Sequence, residues 1–185
     1  MGKLIFITGG ARSGKSTYAE KLAADGGGKV LYIATAVPFD EEMKLRIKKH
    51  RQRRPKEWQT VEAYKDLDNA VIENSSDKKI VLLDCITVMI TNLMIDKKTD
   101  WGNISESELE EIENIINDEV DKLINTVHVE NMLFLVVSNE LGMGLVPEYP
   151  MGRVFRDIAG RVNQKLAKAA DEVFVCISSI PVKIK

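Results

Sequence analysis

The sequence lacks several features that would restrict its class. It has two cysteines in 185 residues, too few for a disulfide framework or a cysteine-rich metal cluster. It has no apolar run of membrane-spanning length, and the apolar stretch at its N-terminus is too short for a signal peptide. These absences predict a soluble, cytoplasmic protein with reduced thiols and no membrane span.

The chain also lacks an excess of charge of either sign. Its 26 basic and 28 acidic residues leave a formal net charge of −2. A protein that coats nucleic acid carries a basic excess over the whole domain, so this balance argues against a nucleic-acid partner. The chain has no internal repeat or evident linker, and its length suits one compact domain over residues 1–185.

Short apolar runs rich in β-branched residues alternate with segments of helical periodicity. The five runs are residues 3–8, 29–35, 78–84, 132–137 and 172–178. Their nearly continuous apolar character is typical of parallel strands that helices cover on both faces. One intervening helix opens with a capping box, Ser105 with Glu108. The pattern predicts an α/β fold with a mostly parallel sheet. Residues 178–185 are expected to add a short final strand, with Pro181 marking a turn.

A phosphate-binding loop is the strongest motif in the chain. The segment GGARSGKS fits the pattern G-x-x-x-x-G-K-[ST] and lies between a predicted strand and a predicted helix. Backbone N–H groups of such a loop surround phosphate oxygens, Lys15 reaches the β- and γ-phosphates, and Ser16 offers a hydroxyl to Mg²⁺. A glycine-rich turn with an incidental lysine is the alternative, which the strand-to-helix context disfavours. The predicted phosphate-binding residues are Gly9, Gly10, Ala11, Arg12, Ser13, Gly14, Lys15 and Ser16.

Asp84 ends the third apolar run and supplies the carboxylate that a P-loop metal site needs. With Ser16 it is the predicted Mg²⁺ pair. The alternative role of Asp84 is to cap the helix that follows. The guanine motif N-K-x-D is absent, and Asp84 is followed by Cys-Ile-Thr instead of opening the D-x-x-G turn of a GTPase switch. This absence favours a transferase or an ATPase over a regulatory GTPase.

A basic block at residues 46–55, RIKKHRQRRP, holds six cations and one of the two histidines in the chain. We expect a helix from Asp40 to Arg54, with Asp40 as N-cap and Pro55 as its stop. Neighbouring cations disfavour protonation of His50, and a neutral imidazole can attack phosphorus while arginines hold a triphosphate. The alternative is a partly buried histidine in a basic helix.

Together these segments resemble the bifunctional adenosylcobinamide kinase/adenosylcobinamide-phosphate guanylyltransferase family of cobalamin biosynthesis. The resemblance covers nearly the whole chain. Its specific parts are the histidine block, the loop NELGMGLVPE and the helix FRDIAGRVNQ. It implies a RecA-like P-loop core, a homotrimer and two reactions. A nucleoside triphosphate first phosphorylates the aminopropanol hydroxyl of adenosylcobinamide. GTP then guanylates the product through a GMP–histidine intermediate on His50, giving adenosylcobinamide-GDP and pyrophosphate.

The resemblance also implies which residues contact GTP or ATP. Besides the P-loop, these are Ala34, Thr35, Ala36, Arg51, Gln52, Arg53, Arg54, Glu62 and Asp84. Relatives commonly have Glu where this chain has Asp84, so the carboxylate here has a shorter reach.

Two further segments are candidates for contact with the acceptor. Asn139 and Glu140 open a glycine-rich loop at the end of a predicted strand, where open α/β sheets bind ligands. Arg153, Arg156 and Arg161 are either solvated helix charges or ligands of the acceptor phosphate. Two other functions stay open: a plain P-loop small-molecule kinase without a covalent intermediate, and a nucleotide-dependent binding subunit.

Overall fold

The computed structural model describes residues 2–38, 41–97 and 100–185, except for six side chains of one helix. Those side chains belong to Glu42, Met43, Arg46, Lys49, His50 and Arg53. In the described ranges the strands are β1 Lys3–Gly9, β2 Val30–Ala34, β3 Gln59–Glu62, β4 Ile80–Asp84, β5 Leu133–Val137, β6 Glu172–Ile177 and β7 Ile180–Lys183. The helices are α1 Lys15–Asp25, α2 Glu41–Arg53, α3 Leu67–Asn74, α4 Ile86–Asp96, α5 Glu106–Val129 and α6 Pro150–Ala169. The predicted N-cap Asp40 lies outside the described residues.

The strands form one sheet in the order β3-β2-β4-β5-β1-β6-β7. All neighbouring strands are parallel except β6 and β7, which pair antiparallel. The carboxyl ends of the six parallel strands, β1 to β6, therefore meet at one edge of the sheet. At this edge Gly9 pairs with Cys176 and Ala34 pairs with Asp84. The P-loop and the end of β4 open onto this edge, with only β5 between their two strands.

Helices cover both faces of the sheet because successive strand residues point to opposite sides. Leu4 and Phe6 belong to a large core under α3 to α6, whereas Ile5 and Ile7 pack on the opposite side with Ala19 of α1. The predicted α/β class is confirmed, with a mostly parallel sheet and helices on both of its faces.

Helix α5 confirms the predicted capping box. The Ser105 hydroxyl accepts from the Glu108 N–H at 3.3 Å, and the Glu108 carboxylate accepts from the Ser105 N–H at 2.9 Å. Ile112 and Ile116 of this helix are buried. No helix in the described part of the chain is long and apolar enough to cross a membrane.

The C-terminal strand forms, but Pro181 does not mark its turn, so that prediction is wrong. The turn lies at Ser178 and Ser179, whose φ angles are 50° and 69°. Pro181 is inside β7 and pairs with Cys176. An edge strand accommodates proline because an outward-facing position needs no ladder N–H.

Two elements were not predicted, β3 and α3. Strand β3 has the sequence QTVE, which contains a single large apolar residue, Val61. Such a short polar segment carries no apolar run, and only its pairing with β2 identifies it as a strand.

Candidate active site

The P-loop joins β1 to α1 and depends on two glycines. Gly14 has a φ of +92°, and a Cβ there would lie 2.8 Å from the Ser179 Cα. A Cβ on Gly9 would lie 2.5 Å from the Cys176 carbonyl oxygen. Both positions therefore exclude a side chain. The β6–β7 turn supports the loop directly, since the Ser179 N–H donates to the Ser13 carbonyl at 2.8 Å.

The N-terminus of α1 has the properties of an anion site. Its N-cap is Gly14, which has no side chain to cap the helix, and the first turn contains no acidic residue. Its first N–H groups and the helix dipole therefore favour a phosphate. Lys15 is only 7% exposed, and its ammonium group donates to the Gly10 carbonyl at 2.9 Å, inside the loop.

Ser16 and Asp84 meet across the edge of the sheet. The Ser16 hydroxyl lies 3.4 Å from Asp84 Oδ1, and the Tyr32 hydroxyl donates to Asp84 Oδ2 at 2.8 Å. Hydroxyl and carboxylate oxygens are the ligands that Mg²⁺ prefers, with phosphates and water completing its octahedron. The pair therefore fits the predicted metal site.

Tyr32 is a site residue that the sequence did not reveal. It is fully buried in β2, and burial followed by the nearby Asp84 charge raises its pKa, so it stays a hydrogen-bond donor. Its position inside an apolar run gives no signal that its hydroxyl meets a carboxylate. Only the pairing of β2 with β4 creates that contact.

Arg54 follows helix α2 and extends over the same tyrosine. Its guanidinium carbon lies 3.5 Å from the centre of the Tyr32 ring, and the Trp58 ring stacks on Tyr32 at 6.4 Å. Two buried nitrogens of Arg54, Nε and Nη1, have no hydrogen-bond partner within the described ranges. Unpartnered buried donors of a cation are well suited to an anionic ligand.

One cavity connects these groups. It is lined by Lys15, Ser16, Tyr32, Ala34, Ala36, Ile47, Arg54, Glu62, Asp84, Cys85, Val88 and Asn139. It thus combines the P-loop, the ends of β2 and β4, the start of the loop after β5, and helix α2. Position 50 is one helical turn beyond Ile47 in α2. The side chain of the predicted catalytic residue His50 lies outside the described part, as does that of Arg53.

The remaining predicted nucleotide contacts divide into those at the cavity and those away from it. Ala34 and Ala36 line it, whereas the buried Thr35 is not one of its described lining residues. The Thr35 hydroxyl accepts from the Cys85 N–H at 2.8 Å and joins β2 to β4. Glu62 lines the cavity and forms an ion pair with Arg51, and both residues also line an adjoining cavity with Arg54. Gln52 is exposed.

Cys85 is the one nucleophilic thiol of the described cavity lining. Burial, and then the Asp84 charge, raise the pKa of this thiol to about 11. It therefore stays protonated near neutral pH and is a poor nucleophile.

The loop after β5 begins beside the P-loop. The Glu140 N–H donates to the Gly9 carbonyl at 2.9 Å, and the Asn139 amide donates to the Thr87 hydroxyl at 2.7 Å. Among the candidate arginines, Arg161 pairs with Glu113 on α5, away from this loop. The other two, Arg153 and Arg156, donate to carbonyls of the loop itself.

The fold and this cavity define a P-loop nucleotide-binding protein. The family model described as cobinamide kinase / cobinamide phosphate guanyltransferase, CobU, matches residues 5–184. The chain belongs to this family, and it is an enzyme of the bifunctional kinase and guanylyltransferase class.

Curated relatives match over almost their whole length. The bifunctional adenosylcobalamin biosynthesis protein CobU of Escherichia coli K12 is 47% identical over 98% of this chain and 99% of its own. The protein of the same name from Salmonella typhimurium is 44% identical with the same coverage. The bifunctional adenosylcobalamin biosynthesis protein CobP of Pseudomonas aeruginosa is 35% identical over 97% of this chain and 95% of its own.

A comparison with solved structures finds the flagellar accessory protein FlaH of Methanocaldococcus jannaschii. It is 17% identical, with a TM-score of 0.46, over 94% of this chain and 70% of its own.

Proposed function

We propose that residues 1–185 act as one domain that catalyses both reactions of the family. A nucleoside triphosphate, ATP or GTP, phosphorylates adenosylcobinamide. GTP then transfers GMP to adenosylcobinamide phosphate, giving adenosylcobinamide-GDP. We further propose that the enzyme is a cytoplasmic homotrimer that uses Mg²⁺, as the resemblance to the family implies.

The observation that carries this proposal is the position of helix α2. Ile47 of α2, and Arg54 directly after the helix, line the same cavity as Lys15, Ser16 and Asp84. The helix that contains His50 is therefore a neighbour of the P-loop. This proximity supports a nucleophile on α2 that acts on a triphosphate held by the P-loop.

Guanylyl transfer proceeds in two displacements. The neutral imidazole of His50 attacks the α-phosphorus of GTP, an N–P bond forms, the bond to the bridging oxygen breaks, and pyrophosphate leaves. A phosphate oxygen of adenosylcobinamide phosphate then attacks the same phosphorus, and His50 departs with its electron pair. Arg54 stabilises the charge that develops on the phosphoryl oxygens.

The kinase reaction uses the P-loop more directly. The aminopropanol hydroxyl attacks the γ-phosphorus and releases its proton to solvent, the bond from this phosphorus to the bridging oxygen breaks, and the nucleoside diphosphate leaves. Lys15 and the N-terminal N–H groups of α1 hold the β- and γ-phosphates in line. Ser16 and Asp84 would hold Mg²⁺, whose chemistry there is to neutralise charge on the β- and γ-oxygens.

Two single substitutions test the roles of His50 and Lys15. His50→Ala is expected to phosphorylate adenosylcobinamide at a rate near that of the native enzyme but to form no adenosylcobinamide-GDP. Lys15→Ala is expected to lose at least about a hundredfold of the kinase rate, because phosphate positioning is lost. Products are separated by liquid chromatography and identified by mass. Formation of adenosylcobinamide-GDP by His50→Ala would overturn the histidine mechanism, because GMP transfer would then proceed without His50.

A further inference from the structure

The loop between β5 and α6 exposes an unusual set of apolar side chains. We name residues 141–149 the apolar loop. Within it Met143 is 91% exposed, Leu145 95%, Val146 68% and Tyr149 76%. Such a concentration over seven positions is typical of a surface that receives a ligand or a partner.

Hydrogen bonds with the P-loop strand and with α6 hold the backbone of the apolar loop in this exposed conformation. The start of the loop is attached to the P-loop by the Glu140–Gly9 hydrogen bond of 2.9 Å. Arg156 donates to the Gly142 carbonyl at 3.3 Å, and Arg153 donates to the Pro147 and Glu148 carbonyls at 3.2 and 2.5 Å. Two cations of α6 therefore hold the loop backbone while its apolar side chains face solvent.

The position of the loop identifies its occupant. The cavity beside it is lined by groups that suit a nucleotide, and its wall at Asn139 continues directly into the apolar loop. An acceptor whose hydroxyl reaches the γ-phosphate must leave the rest of its structure outside that cavity, on the adjacent rim. The rim on the β5 side is the apolar loop.

We propose that the apolar loop is the docking surface for the corrin ring of the acceptor, an inference that rests on the proposed function. A corrin presents broad apolar faces edged by amide side chains. Met143, Leu145 and Tyr149 would cover an apolar face, and methionine adapts well to an irregular surface. The exposed carboxylate of Glu148 would accept hydrogen bonds from the rim amides.

The test is the double variant Met143→Ser/Leu145→Ser, with Ile72→Ser/Val129→Ser as the matched control. The control residues are also exposed apolar side chains, 58% and 80%, on α3 and at the end of α5. Binding of adenosylcobinamide is measured by equilibrium dialysis with the visible absorbance of the corrin. Loss of apolar contact is expected to raise the Kd on the order of tenfold for the loop variant and to leave the control unchanged. GTP binding and the yield of GMP adduct, which need no acceptor, are expected to be native in both.

An unchanged Kd for the loop variant would overturn the proposal. So would a fall in oligomeric mass by light scattering for this variant alone, because the loop would then be a contact between copies of the chain. If the native protein binds adenosylcobinamide through the loop but never transfers GMP, the proposed function fails while the docking surface stands.

Discussion

Among single residues, Tyr32 is the clearest example of a side chain that affects the proposed metal site through a neighbour, Asp84. Its hydroxyl donates to Asp84 at 2.8 Å, and the opposite oxygen of Asp84 faces Ser16. A hydrogen bond to one oxygen of a short carboxylate restricts where the other oxygen lies. Tyr32 is therefore a positioning residue for the proposed metal pair, and its ring also supports Arg54.

Tyr32→Phe keeps the ring and removes only the hydroxyl. We expect the Mg²⁺ concentration for half-maximal kinase activity to rise about tenfold, as is typical when a partner of a metal ligand is lost. The KM for adenosylcobinamide is expected to stay native. Steady-state kinetics over a Mg²⁺ series measure both.

Tyr64→Phe is the matched control, because it removes a hydroxyl that donates to Asp96 at 3.2 Å, outside the cavity lining. If the two variants show the same Mg²⁺ dependence, the positioning role of Tyr32 is wrong.

At the scale of elements, the β6–β7 hairpin supports the P-loop from outside the cavity. Its turn donates to Ser13 and stands against Gly14. Glu172, at the start of β6, forms ion pairs with Lys3 of β1 and Lys183 of β7. The Glu172 carboxylate thus links β1, β6 and β7, the last three strands in the order of the sheet.

Those ion pairs predict a pH-dependent contribution to stability. Hydrogen bonds from Lys3 and then Lys183 lower the pKa of Glu172 below its ordinary value. The contribution is therefore fully present above the unfolded pKa of about 4.3 and is lost as pH falls through the lower folded pKa. Glu172→Gln is expected to lower the free energy of unfolding at pH 7 by less than about 1 kcal/mol, because the pairs are near the surface.

Urea unfolding of native protein and Glu172→Gln over a pH series measures this difference. It is expected to shrink in acid and also in high salt, which screens surface charges. A difference that stays constant from neutral pH to strong acid would exclude the ion pairs as its source.

At the scale of the whole molecule, the apolar runs were sufficient to predict five of the strands and the α/β class. Buried parallel strands need continuous apolar sequence, and that requirement is visible along the chain. The P-loop was predictable for a similar reason, because the backbone of the loop leaves no room for a side chain at Gly9 or Gly14. This requirement is visible as glycines at fixed positions of the motif.

The rest of the site depends on contacts between distant segments. The hydrogen bond from Tyr32 to Asp84 joins residues 52 apart in sequence, and the stacking of Arg54 on Tyr32 joins two different elements. Neither follows from spacing along the chain. Glu62 came only from family resemblance, and the structure brings it to the cavity through β3, a strand too polar to predict.

In the proposed mechanism, α2 supplies a histidine nucleophile to a triphosphate held by the P-loop. This step is tested most directly by incubating native protein and His50→Ala with Mg²⁺ and GTP labelled on the α-phosphate, followed by intact mass and lability assays. We predict a GMP-sized adduct on the native protein that is labile in acid, stable in alkali and absent from His50→Ala. A folded native protein that binds GTP but forms no adduct, or an adduct that persists in His50→Ala, would contradict a role of His50 as the nucleophile.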